Sequence, residues 1–153
     1  MSQTNVYTSA LAYQSEHSEA AAIVCSDGRF LRHSLRFLEE HLGLTQFDLL
    51  VLPGAIHPLT LANLLPKDFK TVQRKISFLV QKHPVRRIIC IAHEDCSWYK
   101  DFKLGGLHLN LKDRQVRDLE HAAQVLRSWF PHVGVELYYA RVEDGKVVFD
   151  QVG

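Results

Sequence analysis

Two segments of this 153-residue sequence combine residue types and spacings that could do chemistry: Cys25-Ser26-Asp27-Gly28-Arg29 and His93-Glu94-Asp95-Cys96. Thiolate and imidazole are the preferred ligands of zinc, and His93-x-x-Cys96 lets one turn present two of them to one ion. Cys25 would be the third. Three protein ligands and an open fourth position make a catalytic zinc site, whereas a closed four-ligand shell makes a structural one. Asp27 could close the shell, since in extended chain it faces the same way as Cys25. Arg29 could instead hold Asp27 away through a charge-assisted pair. In the open arrangement zinc turns water into a nucleophile near neutral pH, suited to a small electrophilic carbon. A carboxylate kept ionised by Arg29 would orient that water.

These residues converge only if the elements around them place them on one edge. Ala20-Ala21-Ala22-Ile23-Val24-Cys25 is an apolar run ended by the turn signal Ser26-Asp27-Gly28, and reads as a buried strand. Phe47–Leu52, stopped by Pro53-Gly54, reads as a second buried strand, and Arg87–Ala92 as a third. Between them, Leu31, Leu35, Leu38 and Leu42 recur at helical spacing with Gly43 as the stop. Phe69, Val72, Ile76, Leu79 and Val80 form a second helical stripe that ends before Pro84. Leu111–Phe130 is a long helix with Asn110 as N-cap and Pro131 as its stop. Val133–Val142 and Lys146–Val148 read as strands joined at Glu143-Asp144-Gly145. Strands alternating with helices predict an α/β fold: a mainly parallel central sheet flanked by helices, with a C-terminal antiparallel edge hairpin. Sites in such sheets lie beyond the carboxyl ends of the strands. If the first and third strands are neighbours, Cys25 and His93 meet there.

Residues 1–18 read as a polar N-terminal arm, with a short helix at Leu11–Ser15, and residues 19–153 as a single domain. Eighteen Lys and Arg against seventeen Asp and Glu leave a net charge of +1. That excludes the basic footprint of a nucleic-acid or anionic-membrane binder. No apolar run approaches the roughly 18–20 residues of a membrane span. Three cysteines argue against a disulfide framework and for a reducing, cytoplasmic setting. Cys90, inside the third strand, is read as core, and His33, His41, His83, His121 and His132 as solvated. His57 is either a proton shuttle or an exposed loop histidine. His108, beside Gly105-Gly106, belongs to a loop after the site. Trp98, Tyr99 and Phe102 either wall the pocket or form a subunit contact.

The two motifs, in this order and at these strand ends, resemble the β-class carbonic anhydrases. That family's pattern is Cys-Ser-Asp-x-Arg after the first strand and His-x-x-Cys after the third. The resemblance covers nearly the whole chain. It implies a β-carbonic anhydrase-like fold, a Zn²⁺ ion on Cys25, His93 and Cys96, and Asp27–Arg29 as the catalytic dyad. It also implies a lyase that interconverts CO2 and bicarbonate and assembles as a homodimer or higher homo-oligomer. The sequence departs from the family at the pocket. Val51-Leu52-Pro53-Gly54-Ala55-Ile56-His57 stands where Arg-Asn-Ala-Gly-Asn is usual, so only the Gly54 position is kept. Ala92 replaces a glycine, and Ser97-Trp98 replaces Gly-Ala. Gly54, His57 and Trp98 are therefore the candidate pocket residues. The alternatives are turnover of another small electrophile such as COS or CS2, and zinc binding without CO2 hydration.

Overall fold

Ala20–Cys25 forms β1, and it is buried on both faces because it runs through the middle of the sheet. The computed structural model describes residues 3–102 and 110–153. β2 (Asp48–Leu52), β3 (Arg87–His93), β4 (Gly134–Glu143) and β5 (Lys146–Val152) complete a sheet of order β2-β1-β3-β4-β5. The first four strands are parallel. β5 returns antiparallel to β4 through Asp144-Gly145, both in the left-handed region at φ 49° and 73°. Two such residues suit a tight hairpin turn that follows the strand twist. The α/β architecture and its edge hairpin are as the sequence predicts.

Alternation along each strand feeds two cores. Ala21, Ile23, Ile88, Cys90 and Ala92 pack under α2 (Pro66–Lys82) and α4 (Leu111–Trp129), against Val72, Ile76, Leu119 and Leu126. Ala20, Ala22, Val24, Ile89 and Ile91 pack on the other face under α1 (Gly28–Arg36), against Phe30 and Leu38. The alanines of β1 let helices lie close on both sides. α1 runs on into a π turn, Phe37–His41, which Leu42 closes by donating to the Phe37 carbonyl at 3.1 Å. Gly43, at φ 66°, lets the chain leave. Asn110 caps α4 by accepting the Lys112 N–H at 2.9 Å.

Three expectations change. β2 is an edge strand among the described residues: Asp48–Leu52 alternates, with Leu49 and Val51 39% and 36% exposed, because only the face that carries Leu50 and Leu52 packs on the core. Residues 11–15 form no helix, since no described residue covers them; Leu11 and Tyr13 are about nine-tenths exposed. His83 is not solvated, because its Nδ1 lies 2.5 Å from the Asp48 carboxylate and its ring stacks on His17. A short helix that the sequence does not announce, α3 (Ser97–Asp101), follows β3. Gly105, Gly106 and His108 lie outside the described residues.

Candidate metal centre

β1 and β3 are parallel neighbours with Val24 opposite Ile91, so their carboxyl ends share one edge. That register brings Cys25 beside His93 and Cys96. One ligand atom from each residue lies within 4.8 Å of the others, and all three residues are buried. The two sulfurs are 4.0 Å apart. A tetrahedral zinc with bonds of about 2.3 Å to sulfur spaces two thiolates by about 3.8 Å. The donors therefore stand at the separation that the ion requires.

His93 is prepared as a ligand. Its Nδ1 donates to the Glu94 carbonyl at 2.7 Å, which fixes the tautomer and leaves Nε2 with a lone pair. Nε2 is buried with no hydrogen-bond partner among the described residues. Such an orphaned acceptor in the interior is costly unless something binds it. Phe30 stacks on the imidazole at 4.3 Å. Gln115 donates to the His93 carbonyl at 2.8 Å and accepts from the Tyr139 hydroxyl at 3.2 Å, which holds the strand end.

The two thiols are unequal. The two sulfurs share one hydrogen bond, and this is the largest cause that lowers the Cys25 thiol well below its ordinary range, against the opposing effect of burial. The His93 side chain and the backbone amides of Asp27 and Gly54 lower it further. The same sharing, with burial, pushes Cys96 up. Zinc requires both sulfurs as thiolates and would release the shared proton. Cys90, fully buried in the core, is pushed up to about 12 by desolvation and takes no part.

Asp27 lies on Arg29. The Arg29 Nε is 3.1 and 3.2 Å from the two carboxylate oxygens, and Nη2 is 2.7 Å from Oδ2. Asp27 is also the N-cap of α1, accepting the Arg29 N–H at 3.0 Å. These bonds, the Arg29 side chain first, hold its carboxyl at about 2. Its Oδ2 is 4.0 Å from His93 Nε2, beside the metal position. Cys25, Cys96 and the Asp27–Arg29 pair line one cavity of about 900 Å³, together with Pro53, Asp95, Ser97, Trp98 and Lys100, and His93 lies just behind it.

A family model described as "Putative carbonic anhydrase" matches residues 15–150. The chain belongs to the β-carbonic anhydrase family. A carbonic anhydrase of Streptococcus mutans has a similar fold, with a TM-score of 0.61 at 15% identity over 94% of this chain and 87% of that one. A β-carbonic anhydrase of Aspergillus fumigatus gives 0.51 at 20% identity, over 88% and 76%. A structure of Sordaria macrospora, described as one of two tetrameric β-carbonic anhydrases, gives 0.54 at 16% identity, over 90% and 82%. No curated protein matches the sequence.

Within this β-carbonic anhydrase fold, the three sequence-predicted pocket residues separate. Trp98 lines the cavity, whereas Gly54 and His57 do not. The indole packs against Gly54, so closely that a Cβ there would fall 2.2 Å from its Cδ1. His57 lies behind it, 1% exposed, and accepts the indole N–H on Nδ1 at 2.9 Å. It is neither a loop histidine in solvent nor a residue that titrates near neutrality. Burial, and to a lesser degree the Arg114 guanidinium, lower it to about 4. Tyr99 is buried and packs tilted against His57, with ring centroids 4.3 Å apart, so it belongs to this interior cluster.

Asp95 is the site residue that sequence reasoning missed. It bonds Arg29 and Lys100 and has a left-handed backbone, φ 54°. Its place inside the His93-x-x-Cys96 motif was its only signal. Gln115 had a clearer one, as a polar residue four before Leu119 on the apolar stripe of α4.

Proposed function

We propose that the chain is a zinc-dependent lyase for the reversible hydration of CO2 to bicarbonate. One observation carries this reading. The unpartnered His93 Nε2, two thiols 4.0 Å apart and a carboxylate held off by arginine meet at one cavity edge. Cys25, His93 and Cys96 would hold the ion. Zinc, when bound, supplies a Lewis acid that acidifies water near neutral pH. Asp27, kept ionised by Arg29, is the acceptor that orients the attacking water. Arg29 keeps Asp27 from becoming a fourth ligand and leaves that position free. The near-neutral net charge suits an uncharged substrate.

The free, buried cysteines favour a reducing, cytoplasmic setting. No described helix is long and apolar enough to cross a membrane. The open β2 edge, with the exposed Val6, Tyr7, Leu11 and Tyr13 of the arm, favours a homo-oligomer.

Trp98 and Pro53 on the cavity wall favour a second reading, in which the same centre turns over an apolar electrophile such as COS or CS2. Stopped-flow CO2 hydration by zinc-loaded protein, with Asp27→Ala as control, decides. The proposal expects a rate well above background that the variant loses. Background rates together with COS or CS2 turnover would establish the second reading. Background rates throughout would leave zinc binding without turnover.

A further inference from the structure

Trp98 is the one indole at the site, and it is held from two sides. Beneath it lies the backbone of Gly54, which has no Cβ to lift the ring. At its edge His57 Nδ1 accepts the indole N–H at 2.9 Å. An indole N–H can only donate, so Nδ1 carries no proton and the neutral ring protonates Nε2. Its proton faces the Asp118 Oδ2 at 3.9 Å, while the Arg114 guanidinium, 3.3 Å away, can only donate and makes no bond with a protonated Nε2. Tyr99 and Phe102 enclose the imidazole at 4.3 and 5.0 Å.

The two ends of this contact belong to the two segments that grip the thiols. Gly54 and His57 sit in the loop after β2, and Ala55 between them packs against Cys25. Trp98 is in the first turn of α3, whose N-cap is Cys96. Cys25, Ala55, Cys96 and Tyr99 form one small apolar cluster, with Trp98 packed against it. No hydrogen-bonded strand joins β2 directly to β3, because β1 lies between them. The indole therefore bridges the loop after β2 to the turn after β3.

We propose that His57 is a positioning residue of the metal centre. By accepting the Trp98 N–H it keeps the indole seated on Gly54, and so holds the Cys25 and Cys96 sulfurs at the spacing one ion needs. The proposal rests on the zinc reading above but not on any reaction.

The test is zinc affinity by chelator competition, with the absorption of Co²⁺-loaded protein as a second readout. The variants are His57→Phe, His57→Asn, Trp98→Phe and the double His57→Phe/Trp98→Phe. Phenylalanine keeps an aromatic ring but cannot accept, whereas asparagine offers an oxygen near the Nδ1 position. Loss of a group that orients ligands lowers metal affinity by about 10–100-fold. We expect that loss in His57→Phe and in Trp98→Phe, no further loss in the double variant, and altered Co²⁺ bands in all three. His57→Asn should recover most of the affinity and the wild-type bands. Wild-type affinity in His57→Phe, additive losses in the double variant, or His57→Asn as weak as His57→Phe would each overturn the proposal. If His57→Phe does not fold, Trp98→Phe decides, because its half-buried ring is replaced by a smaller one. Wild-type protein that binds no zinc would instead sink the zinc reading itself.

Discussion

Arg29 reaches across the mouth of the site to Asp95: its Nη1 is 2.9 Å from Oδ2, and its Nη2 is 3.1 Å from the Asp95 carbonyl. The same guanidinium holds Asp27 with its other edge. One planar fork thus ties the loop after β1 to the turn after β3, a double duty that a lysine could not perform. Asp95→Asn should keep its zinc and lose less CO2-hydration activity than Arg29→Ala. The Asp27→Ala loss, by contrast, should be on the order of 100-fold or more, as for removal of a positioned acid–base group. Steady-state kcat/KM with metal analysis checks both. An Asp95→Asn loss equal to that of Arg29→Ala would mean that Arg29 serves Asp95 rather than Asp27.

The three cysteines should separate cleanly in metal analysis. Cys25→Ser and Cys96→Ser should lose stoichiometric zinc. Cys90→Ser should keep it and instead lose about 1–3 kcal/mol of stability, because it buries a hydroxyl among Ile23 and other apolar side chains. Zinc content near one per chain in either of the first two variants would refute the ligand assignment.

Gly54→Ala places a methyl group where the Trp98 ring lies, at a backbone φ of 73° that disfavours any side chain. The indole must move, at a cost of about 1–3 kcal/mol for overpacking. Chemical denaturation should show the loss, and tryptophan fluorescence should report a more exposed ring. An unshifted spectrum with unchanged stability would contradict the packing described here.

His57 should leave a signature in the pH dependence of stability. Its folded value is about 4 against 6.5 for the free side chain. Between these values the unfolded chain binds the proton and the folded chain does not. Stability is therefore full above about pH 6.5 and falls as the pH drops towards 4, by on the order of 3 kcal/mol. The charged or titratable groups facing the ring are Arg114, Asp118 and Tyr99. Urea unfolding of wild-type and His57→Asn protein at pH 7 and pH 4.5 measures the effect. Parallel losses in the two proteins would show that another group is responsible.

The site was legible where a residue's neighbours in sequence are also its neighbours in space. Cys25, Asp27 and Arg29 follow a strand and open a helix, and His93 and Cys96 flank one turn. Their meeting required only that β1 and β3 be adjacent. Asp95 and His57 were not legible in this way. Their partners, Arg29 and Trp98, lie 66 and 41 residues away. No periodicity encodes a contact between two loops. β2 was misread as buried for a related reason. Asp48-Leu49-Leu50-Val51-Leu52 is apolar enough for an interior strand, and only the order of strands makes it an edge. The arm's missing helix shows the converse, that a local pattern forms nothing without a surface to pack on.

Gln115→Leu tests the support behind His93. It leaves the His93 carbonyl and the Tyr139 hydroxyl without their partner in the interior. Two orphaned groups should cost about 1–3 kcal/mol each. Thermal unfolding of the zinc-loaded protein should show it. A neutral change would mean that water replaces the amide.

The separation of 71 positions between the two thiols also sets a schedule for the newborn chain. Cys25 leaves the ribosome at the end of the first strand, but Cys96 follows about 4–14 s later at synthesis rates of about 5–20 residues per second. During that interval the first thiol has neither His93 nor Cys96 to share a metal. On the proposed function, zinc capture would thus be a late event that follows the closing of β3 onto β1.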